Sequence, residues 1–250
     1  MGHHSVNTTP PVATAPDRAA RFVTTHTLLT LDARHPFVAK SLIDAQDMHR
    51  TVMSGFVGWV DGSSEARSQM GVLSTWTIDL RQARLSLVVQ SGVPGDWDRL
   101  PRAALAEKPH TLTIDRTLRV GDRIDFRTVV NPVHSRPPAP GSPGKTRSTR
   151  VAHNRPEHVK GWFARRLQPA GTPAIAPDGV TRIGADADID RLALRMLPKV
   201  SSPAPHAGLR IARAEIKGTL TVTDPQVLVA ALTRGIGHAR AYSCGLILVR

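Results

Sequence analysis

Gly235-Ile-Gly-His-Ala-Arg-Ala-Tyr-Ser-Cys-Gly-Leu-Ile-Leu-Val-Arg250 closes the chain, and its reading decides the fold. Ahead of it, Asp224 and Pro225 stand as a cap and a first helical residue, and Val227, Leu228, Ala231 and Leu232 recur at helical spacing. Gly235 is then the helix stop. Leu246 to Val249 is a short apolar run with β-branched members, which predicts a strand rather than a second helix. The order is helix, glycine loop, terminal strand. Gly235 and Gly237 permit positive φ and close approach of a ligand, and His238 and Arg240 put basic groups in the same loop. Such a loop can hold phosphate.

Working back from that end, the pattern of helix and strand falls into two similar rounds. In the first, Arg21–Asp32 has the Val, Thr and Leu content of a strand, and the Arg34-His35-Pro36 stretch is taken as loop. Asp44–Phe56 predicts a helix, with Ala45, Met48, Val52 and Phe56 on one face, Asp44 as cap and Gly55 at its end. Gly71–Leu80 and Arg84–Ser91 predict strands, Asp96–Glu107 a short helix interrupted at Pro101, and His110–Arg116 a further strand. In the second round Arg123–Val130 predicts a strand and Glu157–Leu167 a helix. Strands are expected within Asp190–Leu197 and Leu209–Val222, before the closing helix and strand. Both rounds read β-α-β-β-α-β, an α+β class of two tandem ferredoxin-like units. The expected divisions are a disordered extension over 1–20, one domain over 21–118 and a second over 119–250. The second contains a basic loop, 133–156, and the glycine-rich loop, 235–245.

Charge narrows the partner. Lys and Arg number 33 against 20 acids, a formal net charge of +13, which favours a polyanion. One cysteine, Cys244, allows no internal disulfide and suits a reducing, cytoplasmic setting. No apolar run is long enough to span a membrane. From Phe126 to Pro156 there is no acid, while Arg127, Arg136, Lys145, Arg147, Arg150 and Arg155 accumulate among Pro, Gly and Ser. That stretch reads as disordered in the free protein and able to order on RNA. No Cys/His spacing suggests a structural zinc, and no metal or cofactor is expected.

Two nucleotide-binding patterns fail on context. Gly235-x-Gly237 follows a helix and precedes a strand, the reverse of a dinucleotide fingerprint. Ala139-Pro-Gly-Ser-Pro-Gly-Lys145-Thr146 fits a relaxed P-loop, but Pro140 and Pro143 remove backbone donors from the cradle. Aromatic residues make up only 4% of the chain, so base stacking across a sheet is not expected, and charge and shape must carry recognition.

Met48-His49-Arg50 in its helix, Asp125–Pro132, the Trp162 helix, Ile216–Asp224 and Gly235–Leu246 together, in this order, resemble the CasE family, the CRISPR precursor-RNA endoribonucleases of type I-E systems. The resemblance runs from about residue 21 to the end. It implies tandem ferredoxin-like domains and metal-independent cleavage at the base of the CRISPR repeat hairpin. It also implies that the product is kept as crRNA with the other Cascade subunits. His49 matches the family's helix histidine and is the expected general base or acid. The expected RNA-binding residues are Arg150, Arg155, Lys160, Arg165, Arg166, Gly235, Gly237, His238 and Arg240. Arg165 and Arg166 have an equally good structural reading as complements to their helix dipole. Gln46 stands where some relatives carry tyrosine, and Ser243 replaces a common glycine. A non-catalytic RNA-binding subunit is the alternative.

Overall fold

The alternation of Thr with apolar residues in Ala19–Asp32 gives a fourteen-residue strand, β1, whose Leu29 and Leu31 are buried on one face while Phe22 is buried on the other. The computed structural model describes residues 18–59, 65–136, 149–204 and 208–250. After β1 come α1 (Pro36–Ile43), α2 (Ala45–Met53), α3 (Ala66–Gln69), β2 (Leu73–Asp79), β3 (Arg84–Ser91) and β4 (His110–Arg119). These strands form one antiparallel sheet in the order β2-β3-β1-β4. Numbered within its own round, that is 4-1-3-2 read from the other edge, the ferredoxin-like order.

The second half holds β5 (Arg123–Val130), β6 (Val133–Arg136), β7 (Thr149–Ala152), α4 (Pro156–Ala164), β8 (Ala185–Asp186), β9 (Ala193–Ser201), β10 (Arg210–Val222), α5 (Pro225–Arg234) and β11 (Ile247–Val249). Its sheet runs β11-β5-β10, with β9 and the short β8 sharing the far edge of β10. The order 4-1-3-2 recurs, so the α+β, tandem ferredoxin-like expectation holds. Two main cores form, and the one centred on the second half also takes in Phe22 and Leu118 of the first. Val38, Met48, Val52 and Phe56 pack on Leu29, Leu85 and Leu87 in the first, and Val159, Phe163, Leu228 and Leu232 pack on Ile124, Ala214 and Ile216 in the second.

The structure corrects several expectations. Arg34-His35-Pro36 is not loop: Pro36 opens α1 and His35 caps it, its Nδ1 accepting from Phe37 N–H at 3.3 Å. A histidine cap is a weak sequence signal beside Ser, Thr or Asp, and Asp44 was legible only as the start of α2, whose Gln46 N–H it caps. The helix predicted to Phe56 stops at Met53, and Ser54–Trp59 continues as a 3₁₀ turn broken at Phe56. Asp96–Glu107 forms no α-helix, only a turn at Arg102–Ala104. There Asp96 turns back to accept from Asp98 N–H, and Trp97 wedges between Gly55 and Gly95. Of the loop 133–156, the ends pair as the β6–β7 hairpin, so it is not structureless along its length. Ala19 and Ala20, assigned to the extension, belong to β1. The rest of that extension up to residue 17, the relaxed P-loop, Lys145 and Arg147 lie outside the described residues.

Polar contacts dock the halves. Gln90 Nε2 donates to Leu232 O at 2.8 Å, Ser74 and Ser243 share a hydroxyl hydrogen bond of 2.9 Å, and the Arg213 guanidinium lies over the Trp76 ring at 4.2 Å. Among the described residues no helix is long and apolar enough to cross a membrane.

Candidate nucleic-acid interface

His49 lies at the middle of α2, half-buried, where the glycine loop of the second half reaches across to it. Gly235 at φ 71° ends α5, and its Cβ position is blocked by Gly245 O and Leu73, so the turn requires glycine. From there the chain makes a single 3₁₀ turn, Arg240–Tyr242, against α2. The Tyr242 ring meets the edge of His49 with centroids 6.1 Å apart, and Gln46 Nε2 donates to the Tyr242 hydroxyl at 2.9 Å. Ser202 extends this seam, accepting from Gln46 N–H and donating to Asp44 Oδ1 at 2.6 Å.

Burial, followed by the charge of Arg67 and more weakly that of Arg50, holds the His49 imidazole below its ordinary pKa of 6.5. The Ala241 backbone opposes this. His49 is therefore neutral at pH 7, the state in which a ring nitrogen can take a proton. Beside it, a cleft of about 270 Å³ is lined by Arg67, Ser68, Thr233, Arg234 and Arg240. Arg67 is pinned by donation to Val72 O at 2.8 Å and Arg240 by donation to Arg234 O at 3.0 Å. Burial and then the positive charge of Arg240 lower the Arg67 pKa. Two guanidinium groups are thus fixed near enough to repel, and an anion between them would be favoured by both.

The basic strip continues. Burial, then Arg150, Arg166 and Arg240 in that order, lower the pKa of His238, so these residues share one neighbourhood. His238 is itself bridged through its backbone to Asn131. Arg166 lies 3.5 Å over the Trp162 ring, and burial, with Arg165 beside it, brings its pKa down to about 10. Trp162 also limits Gly237, whose added Cβ would come within 3.0 Å of the indole at a φ of 72°. Beside the strip, at the foot of the β6–β7 hairpin, His134 stacks on His153 at 4.6 Å, and His153 meets His158 at 5.7 Å. Among the described residues no group of His, Cys, Asp or Glu is arranged to hold a metal ion.

The structure therefore brings together Arg150, Arg166, Gly235, Gly237, His238 and Arg240, and joins them to His49 through Arg67. It leaves others apart. Lys160 faces Asp190 at 4.0 Å, Arg165 is held in an ion pair with Asp178, and Arg155 is the exposed N-cap of α4. Arg166 also donates to Trp162 O at 2.7 Å, so its helix-end role and its place in the strip coexist. Arg67 and Arg234 escaped the sequence reading. Arg67 sits in a short helix without amphipathic length, and nothing local marks it as a neighbour of residue 240.

Comparison with known proteins agrees with this fold. A family model described as CRISPR associated protein matches residues 26–250. The chain is similar in structure to the CRISPR endoribonuclease Cse3 bound to a 19-nucleotide RNA, at 21% identity, covering 92% of this chain and 99% of that one with a TM-score of 0.64. Thermus thermophilus Cse3 bound to an RNA representing a pre-cleavage complex gives 21% identity, 92% and 100% coverage and a TM-score of 0.67. Cas6e from Escherichia coli K-12 gives 16%, 90% and 98%, and 0.61. At these identities the likeness is one of fold. No curated protein matches in sequence. With the family model spanning nearly the whole chain, the protein belongs to the CRISPR-associated protein family.

Proposed function

We propose that the protein is a metal-independent endoribonuclease that binds the CRISPR repeat hairpin and cuts precursor crRNA at its base. The observation that carries this reading is a neutral His49 beside two fixed, mutually repelling arginines, Arg67 and Arg240. In RNA the 2′-OH next to the scissile phosphate is the nucleophile. His49 takes its proton as the 2′ oxygen bonds to phosphorus, the bond to the 5′ oxygen breaks, and that oxygen leaves with a proton from solvent. The products are a 2′,3′-cyclic phosphate and a 5′-hydroxyl. Arg67 and Arg240 offset the negative charge that builds on the phosphate in the transition state. Tyr242 positions the His49 ring by its edge contact. Arg150, Arg166 and His238 hold the hairpin backbone, and Gly235 and Gly237 let it come close, while Arg155, Lys160 and Arg165 add longer-range attraction. The domains divide after β4, near residue 120 rather than at 118, with Ala19 and Ala20 in the first, so the site exists only when both are docked. The solved neighbours include CRISPR RNA-guided surveillance complexes, and by that analogy the mature crRNA stays bound here with other Cascade subunits in the cytoplasm.

Repeat RNA incubated with the protein in EDTA yields the cyclic phosphate and the 5′-hydroxyl, and a 2′-deoxy substitution before the cut blocks the reaction. Strict dependence on added divalent metal would overturn the mechanism. A second reading, a non-catalytic RNA-binding subunit, is favoured by Gln46, which is engaged with Tyr242 and has no acidic proton to give. Binding of the repeat without any cleavage over hours would select it.

The lowered pKa of His49 has a readable sign. Its protonated form is the inactive one, so kcat/KM is at its plateau by pH 7 and falls as the pH drops through a value below 6.5. Because the folded protein resists protonating His49 more than the unfolded chain does, its contribution to stability is present above pH 6.5 and is lost as the pH falls through the depressed value. A cleavage rate still climbing between pH 7 and 8 with the slope of one titrating group would contradict the assignment.

A further inference from the structure

One charged cluster lies outside this machinery. Glu215, on β10, is buried to 5% side-chain exposure, yet it meets three cations: Arg127 Nε at 2.6 Å, Lys217 Nζ at 3.2 Å and Arg195 at 3.3 Å. The register explains the grouping. Arg195 of β9 stands directly opposite Glu215, Arg127 of β5 opposite Lys217, and Glu215 and Lys217 are two apart on one strand. All four side chains therefore lie on the face of the second sheet opposite to α4 and α5, which pack on Phe126, Ala214 and Ile216.

Among the described residues that face is covered at one end only. Near Arg213 it is closed by Trp76 of the first half, and Tyr242 packs with Val129, Leu197 and Val200. Beyond Glu215 the face is open. Arg195 is 67% and Lys217 49% exposed, and Arg127, bonded to Glu215 through Nε, keeps its terminal nitrogens for other partners. Exposed Arg123 and Arg250 continue the same face, with Asp125 paired to Arg250. One carboxylate thus organises cations that outnumber it. Hydrogen bonds from Arg127 and Lys217, with their charge, keep the Glu215 pKa below its ordinary value although burial opposes this. The acid stays ionised and the cationic heads stay in fixed register.

We infer that this open face is a second polyanion site, which takes the single-stranded RNA flanking the hairpin by its phosphates. It rests on the RNA reading above. Three features choose the occupant. The lysine and arginine content with no exposed aromatic is unlike a protein interface, whose centre is apolar and poor in lysine. The absence of stacking residues points to backbone contacts that do not read sequence. The platform, about 14 Å across three strand spacings, begins where the Tyr242 seam ends, so a strand leaving the His49 site can run onto it.

The test uses repeat hairpins blocked by a 2′-deoxy substitution, with and without oligouridine flanks of about eight nucleotides, bound to the full chain and to Arg195→Glu/Lys217→Glu. The flanked RNA binds several-fold more weakly to the double variant. Its log K against log salt slope flattens by about 1.4, as expected for two lost single-strand contacts, while the bare hairpin binds unchanged. Arg195→Gln/Lys217→Gln, which neutralises without reversing charge, gives the same change in slope and shows that repulsion alone is not the cause. Equal binding of flanked RNA to all three proteins overturns the platform and leaves the endoribonuclease reading intact. Failure of the bare hairpin to bind the unaltered protein overturns that reading instead.

Discussion

His49→Ala lowers the single-turnover cleavage rate by about 10³-fold, within the range a positioned general base supplies, while affinity for the repeat hairpin changes by less than about twofold. The separation follows from the geometry. His49 is a neutral ring at the end of the basic strip, and in the proposed function hairpin attraction comes from Arg150, Arg166, His238 and Arg240, none of which needs it as a partner. Alanine is the best helix former, so α2 keeps its register, and Gln46 keeps its bond to Tyr242. What is lost is the proton acceptor and the ring that Tyr242 abuts. Cleavage at the original rate would move the base to another residue, and loss of binding together with cleavage would make His49 a structural member of the seam.

The fold was legible where periodicity and caps agree. Asp224 with Pro225 marks α5, whose bounds the structure reproduces, and Arg84–Ser91 and Arg123–Val130 are strands over the predicted residues. It was illegible where a tertiary contact decides. Asp96–Glu107 has the length for a helix, but Trp97 is drawn into the space between two glycines and the backbone turns instead. Half of the site was legible for a similar reason. His49, His238 and Arg240 stand in motifs, whereas Arg67 enters only because α3 passes behind the glycine loop, a contact between residues far apart in sequence. The buried Glu215 and its three cations show the same limit. Arg127, Arg195 and Lys217 look like ordinary alternating surface charges until the strand register sets them on one face.

The glycine loop also sets a test of how the two halves share one site. Gly245 lies at φ 88°, and a Cβ there would fall 2.4 Å from Ile236 O, 3.1 Å from Arg240 Cγ and 3.2 Å from Ile236 N. Backbone atoms cannot swing aside as a side chain can. Gly245 N–H also donates to Val129 O at 2.7 Å and its carbonyl accepts from Ile236 N–H at 2.9 Å, so the residue ties the loop to both β5 and the end of α5. Gly121 supplies the control, since its φ of 89° is the same and nothing lies within 4 Å of its would-be Cβ. Gly121→Ala thus isolates the backbone cost, about 1–2 kcal/mol, and Gly245→Ala adds the collision for a total of about 4 kcal/mol or more. In urea unfolding the second variant has a midpoint well below the first. Where both are still folded, Gly245→Ala alone loses cleavage, because the loop that moves carries Arg240 and Tyr242 away from His49. Equal losses in the two variants would mean that the loop relaxes freely, and the close fit between the second half's loop and the first half's helix would then not be what sets the site.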